Sequence, residues 1–162
     1  SLAHATILQE QEFISEEQLY SYCAYDSILG GHLSRRKVPG VEASTGSLGH
    51  GISMAIGVAL ASKIKNIDNR VFVLVGDGEV NEGTFWEAML LGAHHGLTNL
   101  CCIVDYNRSN DRALVLDPLN EKLSSMGWDV KSINGHSQDE IFSALNTGNK
   151  GRPKGIIANT IK

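Results

Sequence analysis

Apolar and polar positions along this chain fall into two alternating kinds of run. Short, mostly unbroken apolar stretches occur at Arg70–Val75 (RVFVLV), Leu100–Val104 (LCCIV) and Gly155–Thr160, with a weaker one at Trp128–Ile133. Such runs predict strands buried on both faces, which is the demand a parallel sheet makes. Segments of helical spacing separate them. Gly46–Gly51 leads into a helix over Ile52–Ile64, rich in Ala, Gly and Ser. Thr84-Phe-Trp-Glu87 reads as a capping box for a helix with its body at Ala88–His95, and Gly96 suits the left-handed position that ends it. Asp117-Pro118 predicts a helix start with an end near Gly127, and Ser137-Gln-Asp-Glu140 caps another to about Asn146.

The first part of the chain has no strand signal. Leu2, Ala5, Ile7 and Leu8 have helical spacing from the outset, Ser15-Glu-Glu-Gln18 is a capping box for a helix to about Asp26, and Gly30–Thr45 is a polar loop broken by Pro and Gly. The alternation predicts an α/β fold: a mostly parallel sheet with helices on both faces. The expectation is one domain over residues 1–162, truncated at both ends, because the chain begins in mid-pattern and its last strand stops close to Lys162.

Composition narrows the function without choosing it. The 162 residues are 42 % hydrophobic and 20 % charged, with a formal net charge of −4. Arg35-Arg-Lys37 is a lone basic triplet in a loop, so a nucleic-acid footprint is not expected. No apolar run approaches the roughly 20 residues of a membrane span. Three cysteines, two of them adjacent in an apolar strand, read as reduced, buried small hydrophobes. A cytoplasmic protein is the expectation.

The candidate chemistry sits where strands end. Val71–Val75 runs directly into Gly76-Asp77-Gly78, and Asn107 follows the Leu100–Val104 strand. In a parallel sheet, sites lie beyond the carboxyl ends of strands. If the two strands are neighbours joined by a right-handed crossover, their ends lie about 5 Å apart. One carboxylate and one amide oxygen would then converge on a hard divalent cation such as Mg²⁺ or Ca²⁺, completed by phosphate oxygens. The flanking glycines would let backbone amides approach an anion. The same glycines also fit a plain strand-to-helix turn, and on the residues alone both readings stand.

Gly76-Asp-Gly78 with Asn107 resembles the thiamine diphosphate motif, and Val38–Ser53 (VPGVEASTGSLGHGIS) is similar to the corresponding segment of transketolases, especially those split into two subunits. Gly76–Gly83 and the following Trp86-Glu-Ala agree in register. The resemblance implies the diphosphate-binding half of a transketolase, which transfers a two-carbon ketol unit between sugar phosphates using thiamine diphosphate and Mg²⁺ (or Ca²⁺). It implies metal ligation by Asp77, Asn107 and the Ser109 carbonyl, and diphosphate contacts from His4 and Gly78. It places backbone of Gly46 and Leu48 against the thiamine. Glu82 matches a glutamate linking across the dimer interface, and His32 a substrate-facing histidine.

Four departures stand out. Ala3 replaces a glycine before His4, Leu33 follows His32 in place of proline, and Arg108 occupies a position where the family often has glycine. His50 stands where glutamine is usual. The resemblance further implies a partner: a pyrimidine-binding domain or subunit supplying the glutamate for N1′ of the aminopyrimidine, in an oligomer. Another thiamine diphosphate enzyme (a 2-oxoacid decarboxylase or dehydrogenase, or a deoxyxylulose-phosphate synthase-like enzyme) and a non-catalytic assembly module are the alternatives. His94, His95, His136, Trp86, Trp128, Glu42 and Glu79 read as surface, turn or packing residues.

Overall fold

The computed structural model describes residues 1–148 and 150–161; Lys162 lies outside the described residues. The chain forms two compact units, Ser1–Ser47 and a second beginning at Leu48. In the first, α1 spans Leu2–Glu10 and α2 spans Glu16–Tyr20. Ala5, Leu8, Ile14, Leu29, Leu33, Val38 and Val41 form its buried core.

The Ser15 capping box is present, with Ser15 Oγ accepting from Gln18 N–H and Gln18 Oε1 accepting from Ser15 N–H. The helix it starts is shorter than the expected run to Asp26. Nothing beyond Tyr20 sustains an apolar stripe, and Cys23 turns into the left-handed region at φ 61°. Cys23 is also exposed, which corrects the expectation of three buried thiols.

The second unit carries α3 (His50–Ile64), β1 (Val71–Gly76), α4 (Gly83–His94), β2 (Leu100–Tyr106), α5 (Leu119–Ser125), β3 (Asp129–Asn134), α6 (Gln138–Asn146) and β4 (Lys154–Asn159). Its four strands lie in the order β1-β2-β4-β3 and every pairing is parallel. The expected α/β sheet is therefore present, with strand bounds within about two residues of those read from the apolar runs. Parallel pairing needs a crossover for each connection, and the helices supply it.

Side chains of adjacent strand residues point to opposite faces. Leu100, Cys102 and Val104 enter the larger core with Ile52, Ile56 and Ala59 of α3, Phe85 and Met89 of α4, and Leu119 and Leu123 of α5. Cys101 and Ile103 face the other way, onto Ile141, Ala144 and Leu145 of α6. The two adjacent cysteines thus serve two cores, and burial pushes the Cys101 thiol up to about 11 and the Cys102 thiol further up. On the α6 side the cover is partial: Phe72 and Leu74 of β1 stay 47 % and 69 % exposed. None of the helices among the described residues is long and apolar enough to cross a membrane.

Two expected caps are corrected. Helix α4 begins one residue before Thr84, with Glu82 in extended conformation at its N-cap and no side-chain cap. Asp117 does not cap α5; Pro118 holds that position, and the Asp117 carboxylate is taken by Tyr106 and Arg108. Ser137 does cap α6, accepting from Glu140 N–H, and Gly96 ends α4 at φ 54° as expected.

Candidate functional site

The ladder between β1 and β2 pairs Gly76 with Asp105, so Asp77 and Asn107 leave adjacent strand ends on the same edge of the sheet. Asp77 is buried, and the donors around it are neutral. Its Oδ1 accepts from the Gly78 N–H at 2.8 Å and the Ser109 hydroxyl at 3.3 Å, and its Oδ2 accepts from the Asn110 N–H at 3.2 Å. Asn107 Oδ1 accepts from the Ser109 N–H at 2.9 Å, while its Nδ2 donates to Asp105 Oδ2 at 3.3 Å. The loop after β2 therefore folds onto the acid at the end of β1, and the expected ligands Asp77, Asn107 and Ser109 are joined in one cluster.

That cluster suits a cation. Every donor that reaches the buried Asp77 carboxylate is neutral, so no protein cation occupies the place beside it. Asn81 Oδ1, Asn110 Nδ2 and Asp111 Oδ1, all on the two loops that meet here, are buried without a hydrogen-bond partner among the described residues. Among the described residues no three His, Cys, Asp or Glu side chains gather to hold a metal. An ion here would rely on one carboxylate, an amide oxygen and oxygens from elsewhere, a donor set for a hard cation carrying phosphate.

The loop preceding α3 is tied to the same place. Gly49 N–H donates to Glu79 Oε1 at 2.9 Å, and Glu79 lies in the short 3-10 turn Glu79–Asn81 following Gly78. Glu79, which the sequence suggested was a solvated acid, is half-buried and joins the two glycine-rich loops. Gly49 sits at φ 79°, and a Cβ there would come within 2.0 Å of Thr84 Oγ1 and 3.0 Å of Glu82 Cβ. Gly49→Ala is expected to destabilise the chain by about 2–4 kcal/mol, the sum of left-handed strain and overpacking. Denaturant melts check it, and Thr84→Ala in the same chain should recover only the steric part.

Beside Asn107, Tyr106 Oη donates to Asp117 Oδ1 at 3.0 Å, and Arg108 Nη1 lies 2.9 Å from Asp117 Oδ2 and 3.5 Å from Asp111. The Arg108 hydrogen bond, then that of Tyr106, holds the Asp117 carboxyl below its ordinary range. Burial, reinforced by Asp117, pushes the Tyr106 phenol up to about 12. A raised phenol stabilises the fold in full below its unfolded value near 10 and loses that contribution as pH rises through 12. Absorbance titration should show one of the four tyrosines ionising last, near pH 12, with stability falling between pH 10 and 12.

The remaining candidates are placed more loosely. Glu82 is exposed at the start of α4, and Leu48 is 51 % exposed with its carbonyl accepting from His50 Nδ1. In the first unit, Gly46 at φ 126° lies against His32, whose ring would meet a Cβ at 3.1 Å. His4 is exposed on α1. Glu79, Asn110 and Asp117 are the residues that sequence reasoning missed as parts of the site, since nothing in their spacing announces where their loops close.

The family model described as "Transketolase, thiamine diphosphate binding domain" matches residues 13–162. The chain is 36 % identical over 163 residues to an apulose-4-phosphate transketolase subunit from Phocaeicola vulgatus, with 96 % of this chain and 57 % of that protein covered. It is 38 % identical over 143 residues to a 6-deoxy-6-sulfo-D-fructose transketolase subunit from a Clostridium species, covering 84 % of this chain and 52 % of that one. Among solved structures, the transketolase of Campylobacter jejuni superposes with a TM-score of 0.82 at 34 % identity, over 89 % of this chain and 24 % of that one. The chain thus spans little more than half the length of the two curated relatives.

Proposed function

The chain belongs to the transketolase family as its thiamine diphosphate-binding domain, and from that premise we propose that it supplies the metal and diphosphate half of a ketol-transferring active site. The observation that carries this reading is the closure of the β2 loop onto Asp77, which joins Asp77, Asn107 and Ser109 at adjacent strand ends. Mg²⁺, or Ca²⁺ in its place, would be held by Asp77 Oδ, Asn107 Oδ1 and the Ser109 carbonyl. A cation there would give the buried Asp77 carboxylate a charged partner in addition to its neutral donors. Gly78, whose amide already turns toward Asp77, and His4 would meet the diphosphate. Backbone of Gly46 and Leu48 would face the thiamine.

When bound, thiamine diphosphate supplies the carbon nucleophile and the electron sink for breaking the sugar's C–C bond. The chain's own part is to neutralise the diphosphate and orient the cofactor. His32 would face the sugar. Glu82, exposed and with a side chain that makes no cap hydrogen bond, would reach toward a pyrimidine-binding partner domain or subunit that contributes the N1′ glutamate. An oligomer and a cytoplasmic setting belong to the same reading. The names of the two curated relatives describe a sugar phosphate and a sulfo-sugar, which favours a sugar carrying an anionic group as substrate here.

Calorimetry tests the reading on the complete subunit with its pyrimidine-binding partner. Thiamine diphosphate should bind only with Mg²⁺ present, and the loaded complex should transfer a two-carbon unit from a ketose phosphate. Binding indifferent to Mg²⁺ would overturn the metal assignment. Metal-dependent binding with no ketol transfer, and decarboxylation of a 2-oxoacid instead, would favour another thiamine enzyme.

A further inference from the structure

Arg108 adopts a left-handed backbone at φ 61°, a conformation unfavourable for a residue with a side chain unless its surroundings impose it. Here the surroundings do so. The guanidinium is held by Asp117 at 2.9 Å and Asp111 at 3.5 Å, and lies 5.0 Å above the Tyr106 ring. Tyr106 in turn donates to the second oxygen of Asp117. The residues immediately before and after Asn107 are thus fastened to one carboxylate ten residues further along the chain.

The turn at Arg108 is also what sends the chain back. It lets the Ser109 N–H reach Asn107 Oδ1, and brings the Ser109 hydroxyl and the Asn110 N–H onto Asp77. A planar guanidinium can satisfy two carboxylates and an aromatic face together, which a lysine cannot copy.

We propose that Arg108, acting through Asp117, is a positioning residue that fixes the cation-binding shape of the Asn107–Asn110 loop; this rests on the reading of Asp77, Asn107 and Ser109 as ligands. The clamp is exposed, and exposed ion pairs add little to global stability. Its effect is therefore expected in cation affinity and not in melting temperature.

The test uses the complete subunit with its pyrimidine-binding partner and saturating thiamine diphosphate, titrated with Mn²⁺ while free Mn²⁺ is read by electron paramagnetic resonance. Arg108→Ala and Asp117→Asn should each weaken Mn²⁺ binding about tenfold, the range for losing a group that supports a metal ligand. The double variant should be no weaker than the weaker single, because both act through one contact. Arg108→Gly, free to adopt the same turn, should bind more tightly than Arg108→Ala.

Metal-free melts of every variant separate this from misfolding, and Asp117→Asn, which keeps its shape, carries the test if Arg108→Ala does not fold. Affinities of both single variants within twofold of the parent, with Asp77→Asn losing Mn²⁺, would overturn the positioning role alone. Parent-like Mn²⁺ binding by Asp77→Asn would bring down the cation site itself.

Discussion

On the proposed function, Asp77→Asn should remove most of the extra thermal stability expected from Mg²⁺ and thiamine diphosphate in the assembled protein, while leaving the ligand-free melt nearly in place. The carboxylate is buried among neutral donors, so the ligand-free fold gains little from its charge. The amide would lose about one hydrogen bond, near 1 kcal/mol, against relief of a desolvated charge. The cation, by contrast, would lose its charged ligand. Outer-sphere changes already cost 10–100-fold in metal affinity, so this one should cost roughly 100-fold or more. At ligand concentrations 100 times the dissociation constant, binding stabilises a protein by about 2.7 kcal/mol, and a variant weakened roughly 100-fold should forfeit most of that amount. Paired melts with and without Mg²⁺ plus cofactor measure it. An undiminished ligand-induced shift in the variant would remove Asp77 from the site.

The largest effect on the ligand-free fold should come from Trp128→Ala. Trp128 is 1 % exposed, its Nε1–H donates to the Met89 carbonyl at 2.8 Å, and its ring lies against Gly92 of α4. A Cβ on Gly92 would meet the Trp128 Cζ2 at 3.0 Å and Ile56 Cδ1 at 2.7 Å, which shows how closely α3, α4 and the indole are packed. Emptying such a place costs about 3–5 kcal/mol, a large share of the 5–15 kcal/mol a domain has. Denaturant midpoints check it, and Trp128→Phe should recover part of the loss but not the bond to Met89. A loss under about 1 kcal/mol would mean that the core collapses around the gap.

What could be read from the residues follows from how local each cause is. Val71–Val75 and Leu100–Val104 announced themselves as strands because burial on both faces leaves no polar position to confuse the pattern. The placement of Asp77 and Asn107 at adjacent strand ends was legible for the same reason: each follows the place where an apolar run stops. Thr84 misled, since a threonine three residues before a glutamate satisfies the capping pattern, yet Glu82 takes the N-cap and Thr84 lies beneath Gly49. Asp117 misled in the same way, its carboxylate drawn off by Arg108 and Tyr106. Glu79 and Asn110 gave no sign at all. Their partners lie 30 and 33 residues away, and only the closed loops bring them together.

The pairing of Gly76 with Asp105 works as a caliper. The gap between the two oxygen donors is set by rungs of the β1–β2 ladder, and the length of chain from Gly83 to Asn99 has no say in it. Chimaeras that swap or lengthen that intervening helical stretch should keep the spacing of Asp77 and Asn107. A single residue inserted within either strand would shift one jaw against the other and open it.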